Sequence, residues 1–89
     1  MRPIQEVRSE GPQGPAYIRF SNEPVARTEP AEFDDDLIVD YDAAGSVVGV
    51  ELVTIGHGVL NALIEVARLN DLDLAALLTS RTFPSSSAA

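Results

Sequence analysis

The chain has no cysteine, so neither a disulfide nor a thiolate zinc site can staple it. Basic side chains are scarce. Six face fourteen carboxylates, for a formal net charge of −8. Affinity for nucleic acid rests mainly on Lys and Arg meeting phosphate. Arg8, Arg19, Arg27, Arg68 and Arg81 are scattered and form no basic run, so direct nucleic-acid binding is not expected. The acidity permits a basic protein partner, although it equally serves to keep a small protein soluble. No apolar run approaches the length of a membrane span. Met1-Arg2-Pro3 leads into polar sequence without the apolar segment of a signal peptide, and the expected location is cytoplasmic. No internal repeat is visible. Gly56-His57-Gly58 precedes a helical pattern but lacks the Lys or third Gly of a phosphate loop, and no cofactor is expected.

Against these absences stands a chain of ordinary hydrophobic content, 45%, too apolar for disorder. Its 89 residues make one domain, expected over residues 1–83 with a frayed tail over 84–89. A chain of this size removes only about 60% of its unfolded surface from water. Self-association, as a homodimer or higher oligomer, is the expected supplement.

The most specific local signal is Leu37 to Val53, LIVDYDAAGSVVGVELV. β-branched, aliphatic and aromatic residues flank Asp42-Ala43-Ala44-Gly45. Asp at the first turn position bonds its own backbone, and Gly at the fourth takes the left-handed conformation of a three-residue hairpin loop. With Asp42 facing Ser46, Tyr41 lies opposite Val47 and Val39 opposite Gly49. That register puts Leu37, Val39, Tyr41, Val47, Gly49 and Val53 on one face, and Ile38, Val48, Val50 and Leu52 on the other. Both faces then read as apolar, where a sheet with one wet face alternates more cleanly. One is expected to lie under a helix and the other against a second copy.

Elsewhere the signals are simpler. Pro3 to Arg8 reads as a short edge strand and Ser9 to Pro15 as a loop. Ala16 to Phe20 reads as a strand, Val25 to Thr28 as a weaker one, and Glu29 to Asp36 as an acidic loop. Val59 to Leu69 reads as a helix whose polar residues, Asn61, Glu65 and Arg68, form one narrow stripe, so it is expected to be mostly buried. Asp71 or Asp73 is placed to cap a second short helix with Leu74, Leu77 and Leu78 as its apolar side. Pro84 is expected to end the structure.

Asp40, Asp42, Gly45 and Glu51 imitate the spacing of a calcium-binding loop, with acids at positions one and three, glycine at six and glutamate at twelve. Ala44 removes the ligand of position five, the flanks are strand formers, and the hairpin register points Asp40 and Glu51 to opposite faces. The stronger reading gives Asp42, Gly45 and Gly49 to the turn and assigns no metal ligand. Asp34-Asp35-Asp36 is expected to be a solvated loop rather than a cation site. His57, the single histidine, is a turn residue in the better reading, since no partner arranges it as a general base.

From Tyr17 to about Leu52 the chain resembles the domain of unknown function 2283 family of small bacterial proteins. The shared pattern is a Tyr-Ile strand, here Tyr17-Ile18, an acidic link, and a core that runs here from Asp40-Tyr41-Asp42 through Gly45 to Gly49-Val50-Glu51, with Val50 where Ile is usual. Ser9 to Pro15 replaces the Tyr-Asp…Ala-Asp turn that tends to precede the Tyr-Ile strand. The resemblance implies a small sheet with a C-terminal helix and no established activity, hence no functional residue to carry across. It also suggests an antitoxin-like role, because some members look like partners of small toxin-like proteins.

Together these readings predict an α+β fold: an antiparallel meander of about four strands followed by one long and one short C-terminal helix. The expected function is a non-enzymatic interaction module, binding a protein partner or a second copy of itself. The alternatives are an antitoxin-like partner of a small basic toxin, and a metal-binding or hydrolytic protein using Asp40, Asp42 and Glu51.

Overall fold

The computed structural model describes residues 1–11 and 14–78. In chain order the elements are β1 (Arg2–Pro3), β2 (Glu6–Ser9), β3 (Ala16–Arg19), β4 (Arg27–Pro30), β5 (Leu37–Tyr41), β6 (Val47–Leu52), α1 (His57–Asn70), β7 (Leu72–Asp73) and a 3₁₀ turn (Ala75–Leu78). Strands β2 to β6 form one antiparallel sheet in the order β2-β3-β6-β5-β4, and β1 pairs with β7 in a two-residue parallel bridge.

This corrects the expected meander in two ways. First, β6 lies between β5 and β3, so the chain leaves β3 and crosses to the far edge before β4 begins. β6 is buried at every position but Glu51, and a strand that apolar needs a partner on each side. The polar Arg27–Pro30 strand is left at the edge, exposed at all four positions. The crossing passes the turn end of the β5–β6 hairpin, where the amides of Phe20 and Ser21 both donate to the Val48 carbonyl (2.7 and 3.2 Å) and that of Ala26 to Tyr41 (2.8 Å). Second, one α-helix follows the sheet, not two. Leu72 and Asp73, expected at the start of a second helix, are drawn into the bridge with Arg2 and Pro3. What remains is a single tight turn, closed by Leu77 N–H to the Leu74 carbonyl and capped by the Asp73 carboxylate on the Ala75 amide (2.9 Å). The tail expected over 84–89 and the stop at Pro84 lie outside the described residues.

The hairpin register also differs from the expectation. Tyr41 pairs with Val47 as the turn requires, but Asp40 pairs with Gly49 and Val39 with Val50. A β-bulge at Val48 absorbs the extra residue and shifts the rest of β6 by one. Val47, Val50 and Leu52 therefore join Leu37 and Val39 on one face, and all five are at most 1% exposed. Ala16 and Ile18 of β3 continue that face, and α1 covers it with Val59, Ala62, Leu63, Val66 and Ala67. The apolar residues of α1 recur at the i, i+3, i+4 spacing that keeps them on one side. The outer side of the helix carries Ile64 and Leu69, which are 54% and 60% exposed, so α1 is less buried than its thin polar stripe suggested. It ends at Asp71, whose left-handed conformation (φ 56°) sends its amide back to Ala67.

The opposite face of the sheet is polar. From edge to edge it presents Glu6 and Arg8 of β2, Tyr17 and Arg19 of β3, Glu51 of β6, Asp40 of β5 and Thr28 of β4, with the half-buried Ile38 and the exposed Pro30 as its apolar residues at one end. The second apolar face expected to require another copy is absent from this sheet.

Candidate protein-interaction surface

The acids singled out by their spacing do not converge. Asp42 is the first residue of the hairpin turn. One of its carboxylate oxygens accepts the amides of both Ala44 and Ser46 (2.9 Å each), while Gly45 takes the left-handed position at φ 86°. Gly49, expected with the turn residues, sits within β6 beside the bulge. Asp40 faces outward and is engaged on both oxygens, by the Tyr17 hydroxyl (2.8 Å) and the Thr28 hydroxyl (2.6 Å). Glu51 lies on that same face, not the opposite one, because the bulge shifts the strand; it has no side-chain hydrogen bond among the described residues. Among those residues no group of three or more His, Cys, Asp or Glu side chains is placed to hold a metal ion. His57 opens α1 and is exposed.

Tyr17 reaches Asp40 by lying diagonally across β6 over Gly49. A Cβ at position 49 would fall 2.2 Å from the Tyr17 hydroxyl oxygen and 2.8 Å from the Ile18 carbonyl oxygen. The missing side chain is thus the slot through which β3 and β5 are tied across the strand between them. Partial burial, reinforced by the negative charge of Asp40, holds the Tyr17 hydroxyl well above its ordinary pKa, so it stays a neutral donor. Toward β2 the face continues as an ion-pair cluster. The Arg8 and Arg19 guanidiniums each lie 2.8 Å from the Glu6 carboxylate and hold its pKa down at about 2. Asp40 and Glu6 are thus engaged within this face, which braces the sheet, while Glu51 between them is not. Tyr17 and Thr28 were not expected as partners of Asp40, and the sequence signal that pointed there was Gly49 in the middle of a strand, which marks a close approach.

The less satisfied surface is the end of the sheet where β4 runs into β5. Residues 31–36 turn there, with the Asp34 carboxylate accepting the Asp36 amide (2.8 Å). The other oxygen of Asp34 faces the first turn of α1, where a Cβ at Gly58 would lie 2.7 Å from it. The Val53 amide donates to the Asp36 carbonyl (2.8 Å), which brings the end of β6 to the same place. Phe33 and Val53 are 51% and 40% exposed at this end. Glu32, Asp35 and Asp36 are exposed around them. Among the described residues no ion pair reaches any of these acids. The acidic loop was legible in the sequence; the apolar pair set in it was not, because Val53 reads as the continuation of a strand.

Comparison with curated proteins and with solved structures gives no match. Residues 16–54 match the model of the family described as Protein of unknown function (DUF2283). That span, a little under half of the chain, contains the Tyr17–Asp40 brace, the Gly49 slot, the Asp42 turn and the acidic end, and over it the chain is similar to the domain of unknown function 2283 family.

Proposed function

We propose that the chain is a non-enzymatic interaction module whose acidic end docks a basic segment of another protein. The observation that carries the reading is that Phe33 and Val53 are exposed at the end that holds carboxylates to which no cation among the described residues is paired. An apolar centre with a charged rim is the anatomy of a docking patch, and the sign of the rim selects a basic partner. A second copy does not supply that partner from the described residues. Arg2 donates to the Val47 carbonyl, Arg8 and Arg19 pair with Glu6, Arg27 with Glu29, and Arg68 with Glu65. A small basic toxin is one such partner, which is the antitoxin-like form of the same reading. The metal-binding or hydrolytic alternative has less support, because Asp40 and Asp42 are already committed to hydroxyl and amide donors.

The test uses two synthetic peptides, one alternating arginine with leucine and one alternating arginine with serine, titrated by calorimetry. The wild-type chain is expected to prefer the leucine peptide. Phe33→Ala should abolish that preference, and Glu32→Lys with Asp35→Lys should weaken both peptides. Equal affinity of wild type and both variants for the leucine peptide would overturn the reading.

A further inference from the structure

The two edges of the sheet are unlike. At the β4 edge the Ala31 amide donates inward to Leu37 (2.8 Å). Bonding alternates along an antiparallel ladder, so position 30 faces outward, and there Pro30 has no amide to offer. Proline at that place blocks further pairing without breaking the sheet. At the β2 edge the Glu10 amide donates inward to Pro15 (3.2 Å). By the same alternation Glu6 and Arg8 bond toward β3, while Val7 and Ser9 each turn an N–H and a C=O outward. No proline interrupts Glu6–Ser9, and outside the ladder with β3 no backbone bond is made by the Val7 or Ser9 amide among the described residues.

We infer that this open edge pairs with the β2 strand of a second copy, antiparallel and centred on Val7, joining two five-stranded sheets. This surface is separate from the acidic end and does not depend on it. Charge selects both the occupant and the register. Glu6, Arg8, Arg19 and Glu10 sum to zero on a chain of net charge −8, so two copies meet here away from the surplus of acid. Centred on Val7, each Glu6 lies opposite the Arg8 of the other copy, twice over by symmetry, and Glu10 lies opposite Ile4. Ser9 lies opposite Gln5, whose own amide donates inward to Arg19 (2.7 Å), so the Ser9 N–H there has only the Gln5 carbonyl to meet. Centred on Arg8, the pairing would set Arg8 against Arg8 and Glu6 against Glu10. Opposite charges across a strand pair stabilise and like charges destabilise, so the first register wins. Such a two-fold contact is self-complementary and closes at the dimer.

The experiment is light scattering on the full chain up to millimolar concentration, with amide hydrogen exchange at two concentrations. The wild-type mass should double, with the Val7 and Ser9 amides slowed as concentration rises. Arg8→Glu should return the single-chain mass, with a melting temperature lowered by the loss of the Arg8–Glu6 pair. Ser9→Pro, which removes an outward amide and no internal bond, should also return the single-chain mass and serves if Arg8→Glu fails to fold. A wild-type mass that never doubles overturns the inference. So does a doubled mass that survives either folded variant, or a doubled mass with freely exchanging Val7 and Ser9 amides.

Discussion

Two glycines of the hairpin show how one residue type serves unrelated ends. Gly45 has open space around its missing side chain, but its φ is 86°. Gly45→Ala should therefore cost ~1–2 kcal/mol through backbone strain alone, and Gly45→Asn should cost less, since Asn tolerates the left-handed region. Equal losses for the two would show that φ is not the cause. Gly49 is the reverse case, with no left-handed backbone but no room. Its Cβ would meet both a side chain that can move, Tyr17, and a backbone carbonyl that cannot, Ile18. Gly49→Ala should cost ~1–3 kcal/mol for overpacking, plus the Tyr17–Asp40 bond, since the ring must leave its slot. Tyr17→Phe removes only that bond, worth ~1.5–3 kcal/mol because the acceptor is charged. Urea unfolding of both variants checks the order. If Gly49→Ala proves no more costly than Tyr17→Phe, the ring does not lie where the slot requires.

At the scale of elements, small electrostatic terms compete with conformational ones and magnitudes decide. Asp34 faces the positive end of α1 across the hydrogen of Gly58. Gly58→Ala gains ~1 kcal/mol of helix propensity and pushes aside a carboxylate worth ~0.3–1 kcal/mol at that position. The obstacle is the far end of a side chain, which turns away cheaply, so the thermal midpoint should move by only a few degrees. A large loss would mean that Asp34 anchors the loop to the helix. The β2–β3 pair gives a pH prediction. Glu6 is held near pKa 2, against 4.5 for an unperturbed glutamate, by Arg8 first and Arg19 second. A depressed carboxyl contributes stability above its unfolded pKa and loses it as pH falls through the folded one. The midpoint should thus fall between about pH 4.5 and 2, and a Glu6→Gln chain should show a flatter profile over that window. Identical profiles would remove Glu6 from the acid transition. The hairpin was readable because turn chemistry is local: Asp42 and Gly45 announce themselves within four residues. The bulge at Val48 was not, since nothing within the hairpin asks for it. It follows from the need to collect Val47, Val50 and Leu52 on the face that α1 covers, a demand that reaches β6 from outside. The strand order was hidden for a similar reason, because β6 finds its second partner in β3, some thirty residues earlier in the chain. The brace lay half in view. Gly49 flagged a close approach, but Tyr17 comes from that same distant strand.

For the molecule as a whole, the uneven spread of charge ties stability and binding to one variable with opposite signs. The described arginines are each engaged internally, so the surplus of eight negative charges is felt as self-repulsion, concentrated at the end that holds Glu32, Asp34, Asp35 and Asp36. At 0.01 M salt the screening length is ~30 Å, longer than two of the molecule's dimensions of 41 × 23 × 23 Å, and carboxylates repel one another across most of the molecule. At 0.15 M it falls to ~8 Å, and only neighbours within the acidic end still interact. Compaction of a highly charged chain is opposed by this repulsion, so the melting temperature should rise with salt over that range. The exposed ion pairs around Glu6 weaken at the same time, but solvent already screens pairs of that kind and they do not reverse the trend. The same screening removes attraction to a basic partner, so binding of the arginine–leucine peptide should weaken as the melting temperature climbs. Glu32→Lys with Asp35→Lys lowers the surplus by four charges, from −8 to −4, and should raise the low-salt melting temperature while flattening both salt dependences. Melting curves and peptide titrations on the two chains at the two salt concentrations decide the matter. If salt lowers the melting temperature of the wild type, ion pairs outweigh the surplus charge and the acidic end is not the strained region of the molecule. If the variant melts higher yet binds the peptide as tightly as the wild type, the surplus charge governs stability alone, and the partner does not dock there.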